Sequence, residues 1–518
     1  MSARKIMIQG TGSSVGKSVV TAALCSYFRQ EGFRVAPFKS QNMSNNSFAT
    51  ASSGEIGRAQ AFQAQACGIE PAIEMNPILL KPSGEMGAQV VVLGKPVRIM
   101  TPREYHEFQP HLIGVIRDSL EKLSSQYDIL VIEGAGSPAE INLRPFDIAN
   151  MIVAKMAGSP VVLVGDINLG GVFASLVGTL ELLTSEERSF IKGLLINKFR
   201  GDISLLHEGL KFLETRTGKK LLGVLPFTND LHVAEEDSIP EWKWNSSKPT
   251  EVEKLAIQVI HYPHISNSTD FDGLEEEADV SLRFLTRVPD SERLPDAVIL
   301  PGSKSTMSDL AYVRSSGFER YIDRCYRARI PIVGICGGYQ MLGQELRDPE
   351  GVESVASRAE GLGLLQLTTC FEGEKKTVQV RALNIESRHE VAGYEIHMGR
   401  TDGPSAARPV FQILTEMGRP TERLDGAKSQ DGLVWGTYLH GVFDAPLFRR
   451  EFLNILRKRR RWPPLDPKGA DYPSEAFDLL AALIRRHVDL VALDRILNGM
   501  LCLPQERTRA GTFSGAGF

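Results

Sequence analysis

The residues QGTGSSVGKSVV, beginning at Gln9, follow the apolar run Ile6, Met7, Ile8 and lead into a helical pattern. A strand, a glycine-rich turn and a helix in that order commit a chain to a parallel sheet. Its carboxyl edge then carries a cradle of backbone N–H groups, the local geometry that holds phosphate. The usual spacing GxxxxGK[ST] would put a glycine at position 11, where Thr11 stands; the glycines fall at Gly10 and Gly12 instead. The physical requirements are looser than that spacing. They are a tight turn, a lysine that reaches the terminal phosphate and a hydroxyl for magnesium where the helix begins, and Gly16, Lys17 and Ser18 supply them. Thr11, Gly12, Ser13, Val15, Gly16, Lys17 and Ser18 are therefore the candidate nucleotide-binding residues, with Ser18 also a candidate magnesium ligand. The competing reading is a Gly/Ser turn before a helix, with Lys17 merely solvated.

Short apolar runs continue to alternate with longer helical patterns. That alternation predicts an α/β protein with doubly wound parallel sheets. Candidate strands in the first half are 5–9, 34–38, 89–93, 128–132, 160–165, 191–197 and 221–226. The pattern lapses over 234–254, which is polar with two prolines and no sustained period, as expected of a linker. It resumes at 255–260, 296–301 and 330–335, the last followed by a helical segment over 338–346. A chain of 518 residues accommodates this as two domains: residues 1–233 as an ATP-binding unit, and 255–500 as a second α/β unit with C-terminal helices. Residues 372–401 read as β-like and 448–460 as a basic helix, and the tail 501–518 is expected to be disordered.

Composition excludes several function classes. With 59 basic against 63 acidic residues there is no polyanion-binding surplus, so nucleic acid is not an expected partner. The N-terminus has no apolar signal core. The longest apolar stretch, 160–183, is broken by Asp166, Asn168 and glycines, so a soluble cytoplasmic protein with no membrane association is expected. Six cysteines without a CxxC argue against a disulfide framework or a structural zinc site.

Glu133 directly follows the strand 128–132, at the sheet edge where ligands bind, and is a candidate magnesium carboxylate. Asp147 precedes an apolar helical pattern, as a helix cap would. Asp166 ends another strand, and Asn197 and Lys198 end a late one, in a base-reading or a surface turn. In the second half, GICGGYQMLG places Cys336 in a strand-to-helix elbow between small residues, the arrangement of an exposed nucleophile; a buried structural cysteine is the alternative. His440, in GTYLHGVFD at the end of an apparent strand over 433–439, is the candidate base for that thiol, or a core histidine. The turn in PGSKSTMSDL, 301–310, is a candidate source of an oxyanion-binding N–H.

These residues resemble known families. GTGSSVGKS is similar to the loop of dethiobiotin synthetase-like ATPases, which phosphorylate a carboxylate. PFKSQNMSNNS (37–47), EIGRAQAFQAQACG (55–68), MNPILLKP (75–82) and EGAGSPAEINLRPFDIANM (133–151) resemble the motif series of the cobyric acid synthase family. The second half resembles a class I glutamine amidotransferase, with one departure. His-x-Glu is usual there, whereas Val442 stands two places after His440, so a dyad or a distant carboxylate must orient the ring, and Asp444 is one candidate. His397, in YEIHMG, resembles a further family motif and is expected to serve structure or the domain interface. The resemblance implies that Cys336, His440 and Asp147 belong to the catalytic machinery. It also implies use of ATP, Mg2+ and glutamine, with a corrinoid substrate: adenosylcobyrinate a,c-diamide amidated four times, on its b, d, e and g side chains, to adenosylcobyrate. Two other readings stay open, a cobyrinate a,c-diamide synthase and a P-loop regulatory ATPase with an inactive amidotransferase-like module.

Overall fold

A computed structural model describes residues 2–83, 87–228, 253–290, 293–354, 356–404, 408–467 and 472–499. Most of the expected linker and all of the expected tail lie outside these residues.

The first half is built on six parallel strands: β1 (Arg4–Gly10), β2 (Val35–Phe38), β3 (Ile129–Glu133), β4 (Val161–Asp166), β5 (Ile191–Phe199) and β6 (Lys220–Pro226), in the order β6-β5-β4-β1-β3-β2. Every residue of β3 and β4 is buried, as expected where helices cover both faces of a parallel sheet. Each fully buried Val, Leu or Ile there contributes about 1.5–3 kcal/mol of burial. One expected strand falls elsewhere. Residues Gly87–Val92 pair antiparallel with Ile78–Ser83 and Lys95–Met100 in a separate four-stranded sheet. An apolar run marks a strand but not its partner, which is why sequence placed this one in the main sheet.

The second half has a parallel sheet of β7 (Leu255–Ile260), β8 (Val280–Leu285), β9 (Ala297–Leu300), β10 (Ile332–Ile335) and β11 (Val434–Thr437). Their order is β8-β7-β9-β10-β11, with Ala427–Lys428 antiparallel at one edge. Strand β8 lies at the opposite edge with half-exposed positions, and its weaker apolar pattern escaped the sequence reading. The β-like region is a long antiparallel pair, Thr368–Asn384 with Glu390–Asp402. The basic helix spans Pro446–Arg459. The helix after β10 covers only Gly337–Met341, shorter than expected, because the chain turns into the strand Glu345–Arg347.

The C-terminal helices correct the domain reading. Tyr472–His487 and Leu490–Leu497 pack on the first sheet, not the second: Phe477, Leu480, Ile484, Leu493 and Ile496 share a core with Ile6, Ile8, Val20 and Leu24. Ser26 Oγ donates to Phe477 O (2.7 Å), and Asp489 N donates to Leu222 O (2.7 Å). The chain thus returns to brace the helix that follows the glycine-rich loop.

Candidate functional site

Two constellations form, one at the carboxyl edge of each parallel sheet. In the first, the turn after β1 enters helix α1 (Lys17–Gln30), which has no side-chain cap, so its first N–H groups face outward for an anion. Ser14 (φ 57°) and Gly16 (φ 98°) take the left-handed conformations. Thr11 does not, which is why a glycine is not needed at position 11. A Cβ at Gly16 would stand 2.1 Å from Asn197 Nδ2. Asn197 Nδ2 donates to Val15 O (2.9 Å) and Lys198 Nζ to Ser14 O (2.6 Å), and Lys198 also pairs with buried Asp166 (2.9 Å). Asn197, Lys198 and Asp166 therefore hold the loop's shape. Val15 is buried beneath it, Ser13 is exposed, and Lys17 Nζ donates to the carbonyls of Gly12 (2.9 Å) and Gly136 (3.1 Å).

Glu133 is fully buried at the end of β3. Ser18 Oγ donates to its Oε1 (2.9 Å), Gln63 Nε2 donates to Oε2 (2.5 Å), and the buried Lys39 ammonium pairs with Oε1 (3.0 Å). Sequence reasoning brought Ser18 and Glu133 together but missed Lys39 and Gln63, which stand in the quoted segments PFKSQN and EIGRAQAFQ. Asp147 precedes the helix Met151–Ala157 but is not its N-cap, which is Asn150; its carboxylate accepts from the N–H groups of Ala149 (2.9 Å), Asn150 (2.8 Å) and Met151 (2.9 Å) in the turn that leads into it. The residue it fixes, Asn150, bonds both ways with the Ala135 backbone (3.2 and 2.7 Å), so Asp147 braces the loop just after Glu133.

In the second constellation Cys336 stands between β10 and its short helix at φ 51°, ψ −110°, a strained elbow. A Cβ on Gly337 would meet Ser303 N at 2.8 Å, and one on Gly338 would meet Leu300 O at 2.0 Å, so only glycine lets the elbow seat against the turn of PGSKS. Cys336 is buried rather than exposed, packed between the elbow and the antiparallel pair, and its Sγ lies 3.5 Å from Ile396 O. His440 is fully buried. Its Nδ1 meets Asp270 Oδ2 at 2.7 Å, and Asp270 Oδ1 accepts from Gly441 N (2.9 Å), so the carboxylate is aligned by two bonds. Burial opposes the imidazolium, yet the charges of Asp270 and Cys336 and hydrogen bonds to both raise the ring's pKa to about 10. Asp270 thus stands where a distant carboxylate in place of His-x-Glu would hold the ring. Asp444 instead pairs with Arg58 (3.2 Å). His397 stacks on Tyr438 (3.8 Å between rings), next in sequence to Ile396, whose carbonyl faces the Cys336 sulfur.

Residues 39–58 bridge the two constellations. Glu55 lies fully buried between Lys81 and Lys375 (2.5 Å to the latter), one lysine from each half. Burial would raise the Glu55 carboxyl, but the two ammonium groups hold it well below the usual carboxylate range. Ser47 N donates to Asn267 Oδ1 (2.9 Å), Ser268 N donates to Asn46 Oδ1 (3.1 Å), and Phe48 packs on Tyr394 (5.0 Å between rings). Among the described residues, no helix is long and apolar enough to cross a membrane.

Comparison with known proteins matches this division. Residues 6–241 fit the family model of the CobQ/CobB/MinD/ParA nucleotide binding domain, and residues 256–448 fit that of the CobB/CobQ-like glutamine amidotransferase domain. A cobyric acid synthase of Pelotomaculum thermopropionicum is 48% identical over 513 residues, covering 96% of this chain and 97% of its own. One from Moorella thermoacetica is 48% identical (96% and 97% covered), and one from Dehalococcoides mccartyi is 47% identical (96% and 98% covered). With both constellations on one chain and similarity running through nearly all of it, the chain belongs to the cobyric acid synthase family.

Proposed function

We propose that this chain uses ATP and glutamine to amidate the b, d, e and g side-chain carboxylates of adenosylcobyrinate a,c-diamide, giving adenosylcobyrate in cobalamin biosynthesis. The observation that carries this reading is a phosphate loop and a Cys-His-Asp constellation joined through buried side chains on one chain with full-length similarity to cobyric acid synthases.

In the second half, residues 255–467, Asp270 holds the proton on Nδ1 of His440, leaving Nε2 to take the proton of Cys336. The thiolate attacks the glutamine amide carbon, and N–H groups from Gly337 and the 301–305 turn receive the oxyanion. Nε2 returns that proton to the amide nitrogen, which leaves as ammonia, and a water whose proton passes to Nε2 then releases glutamate from the thioester and restores the thiol. In the first half, residues 1–233 with the C-terminal helices, the acceptor carboxylate takes the terminal phosphoryl group of ATP to form an acyl phosphate and ADP. Ammonia then displaces phosphate. Lys17 and the N–H groups of α1 hold the transferring phosphoryl group. The Ser18 hydroxyl and the Glu133 carboxylate, hard oxygen donors already 2.9 Å apart, are the residues that would hold magnesium, which when bound neutralises phosphate charge. Asp147 contributes by setting the loop beside Glu133.

Mass spectrometry tests the substrate. Incubated with ATP, magnesium and glutamine, cobyrinate a,c-diamide is expected to lose about one mass unit per carboxylate converted, with four conversions and one ATP consumed at each. A product that stops after two amidations starting from cobyrinate itself would reassign the chain to a,c-diamide synthesis.

A further inference from the structure

We propose that Asn267 is a positioning residue through which the ATP half of the molecule sets the readiness of the Cys336–His440 pair. The inference rests on the roles given above to those two residues. Asn267 occupies the joint between the halves, with its backbone in the left-handed region (φ 53°) and its side chain buried. Its amide makes one bond in each direction. Oδ1 accepts from Ser47 N (2.9 Å) in the first half, and Nδ2 lies 3.2 Å from His440 Nε2 in the second. The amide's orientation is not arbitrary. A backbone N–H can only donate, so Ser47 fixes which end is oxygen, and the NH2 group must then face the imidazole.

That orientation has a chemical consequence. His440 Nδ1 is engaged by Asp270 (2.7 Å), so proton transfer from the Cys336 thiol has to use Nε2. With Nδ2–H pointing at it, Nε2 finds no acceptor in this amide, and the imidazolium that Asp270 and Cys336 favour is set donor against donor there. If Ser47 withdraws, the amide is free to rotate and present Oδ1. It then accepts from the protonated Nε2 and favours the thiolate. The same amide therefore opposes or assists glutamine attack according to the position of one backbone N–H.

The segment that carries Ser47 starts at the phosphate site. Lys39 pairs with Glu133 (3.0 Å), Ser40 Oγ donates to Ile148 O (2.8 Å), and the chain then runs through Asn46 and Ser47 to Phe48, which packs on Tyr394; Tyr394 in turn stacks on the His440 ring (5.2 Å, 20°). A change of charge beside Glu133, as nucleotide and acceptor arrive, acts on the end of this segment opposite to Asn267. Glutamine would then be consumed chiefly when the acceptor is ready.

The test is Asn267→Asp, a near-isosteric change that also tolerates a left-handed backbone. One carboxylate oxygen still accepts from Ser47 while the other faces Nε2 permanently as an acceptor. Glutamine hydrolysis without ATP or corrinoid is expected to rise about tenfold, the scale of one hydrogen bond to a charged group. Glutamate released per amide formed is expected to rise above the parent value, with ammonium-supported synthesis retained. Unchanged basal hydrolysis and an unchanged ratio would overturn the proposal, as would loss of hydrolysis with ammonium-supported synthesis intact. Asn46→Ala, which loosens the same joint from the ATP side, is expected to shift the ratio in the same direction by a smaller factor, and it decides the matter if the first variant does not fold. Cys336→Ala run in parallel separates the two readings: its hydrolysis is expected to vanish, and persistence would overturn the site assignment along with the proposal.

Discussion

The two turns at the carboxyl edges of the two sheets look alike in sequence and work by opposite means. Around Lys17, what the site offers is mostly backbone: N–H groups at the start of an uncapped helix, with Asn197 and Lys198 holding the loop's carbonyls. Around Cys336 the backbone serves mainly to strain the elbow. What the sulfur's surroundings add are His440 and Asp270, side chains contributed by two distant segments. The helix after Cys336 has only five residues, so the sulfur's electrostatic partner is the His440 ring rather than a helix end. An anion cradle can be written in one short stretch, whereas a proton relay has to be assembled by the fold.

The largest expected effect tests whether the halves are chemically separate. Cys336→Ala should cut glutamine-dependent amidation by on the order of 10⁴-fold or more, with high ammonium at alkaline pH restoring product. Lys17→Ala should lose about 10²–10³-fold with either nitrogen source while glutamine hydrolysis survives. Amide formation followed with each source in turn measures both. Full glutamine-dependent activity in Cys336→Ala, or a full rate in Lys17→Ala, would erase the contrast.

Next comes the relay. Asp270→Asn should lower glutamine hydrolysis by about 10²–10⁴-fold, because the imidazole loses the acceptor that fixes its tautomer and steadies its charge. Asp444→Asn, which breaks the Arg58 pair but makes no bond to the His440 ring, should stay within about tenfold. Steady-state glutaminase rates compare the two, and the reverse ranking would return the orienting role to Asp444.

The last test concerns the joint, and its readout is stability rather than rate. Glu55→Gln leaves Lys81 and Lys375 facing each other without their shared counter-charge and should destabilise the chain by about 3–5 kcal/mol in denaturant unfolding. The folded Glu55 carboxyl titrates below its unfolded value, so its contribution is present above about pH 4.3 and is lost as pH falls through the folded value. Acidification below about pH 4.3 should therefore weaken the parent more than the variant; equal losses would show that Glu55 does not tie the halves together.

Much of this was legible beforehand. The strands of both parallel sheets, apart from β8, announced themselves by short apolar runs, and Gly16, Lys17, Ser18, Glu133, Cys336 and His440 each stand in a local motif whose spacing carries its own chemistry. Asp270 has no such motif. It sits among other acids in NSTDFDGLEEE, 170 residues from the ring it orients. The strand Gly87–Val92 and the helices Tyr472–His487 and Leu490–Leu497 were visible as elements but were assigned to the wrong neighbours.

The physical reason is the range over which each interaction is encoded. Backbone turns, helix starts and the alternation of apolar runs depend on residues within a few positions of one another, so sequence alone determined two phosphate- and thiol-bearing elbows on α/β sheets. Which carboxylate meets His440, which sheet buries the last two helices, and that Glu55 and Asn267 join the halves depend on where separate segments come to rest. Those contacts are selected by complementary burial and charge across the whole molecule, and only the tertiary structure decided them.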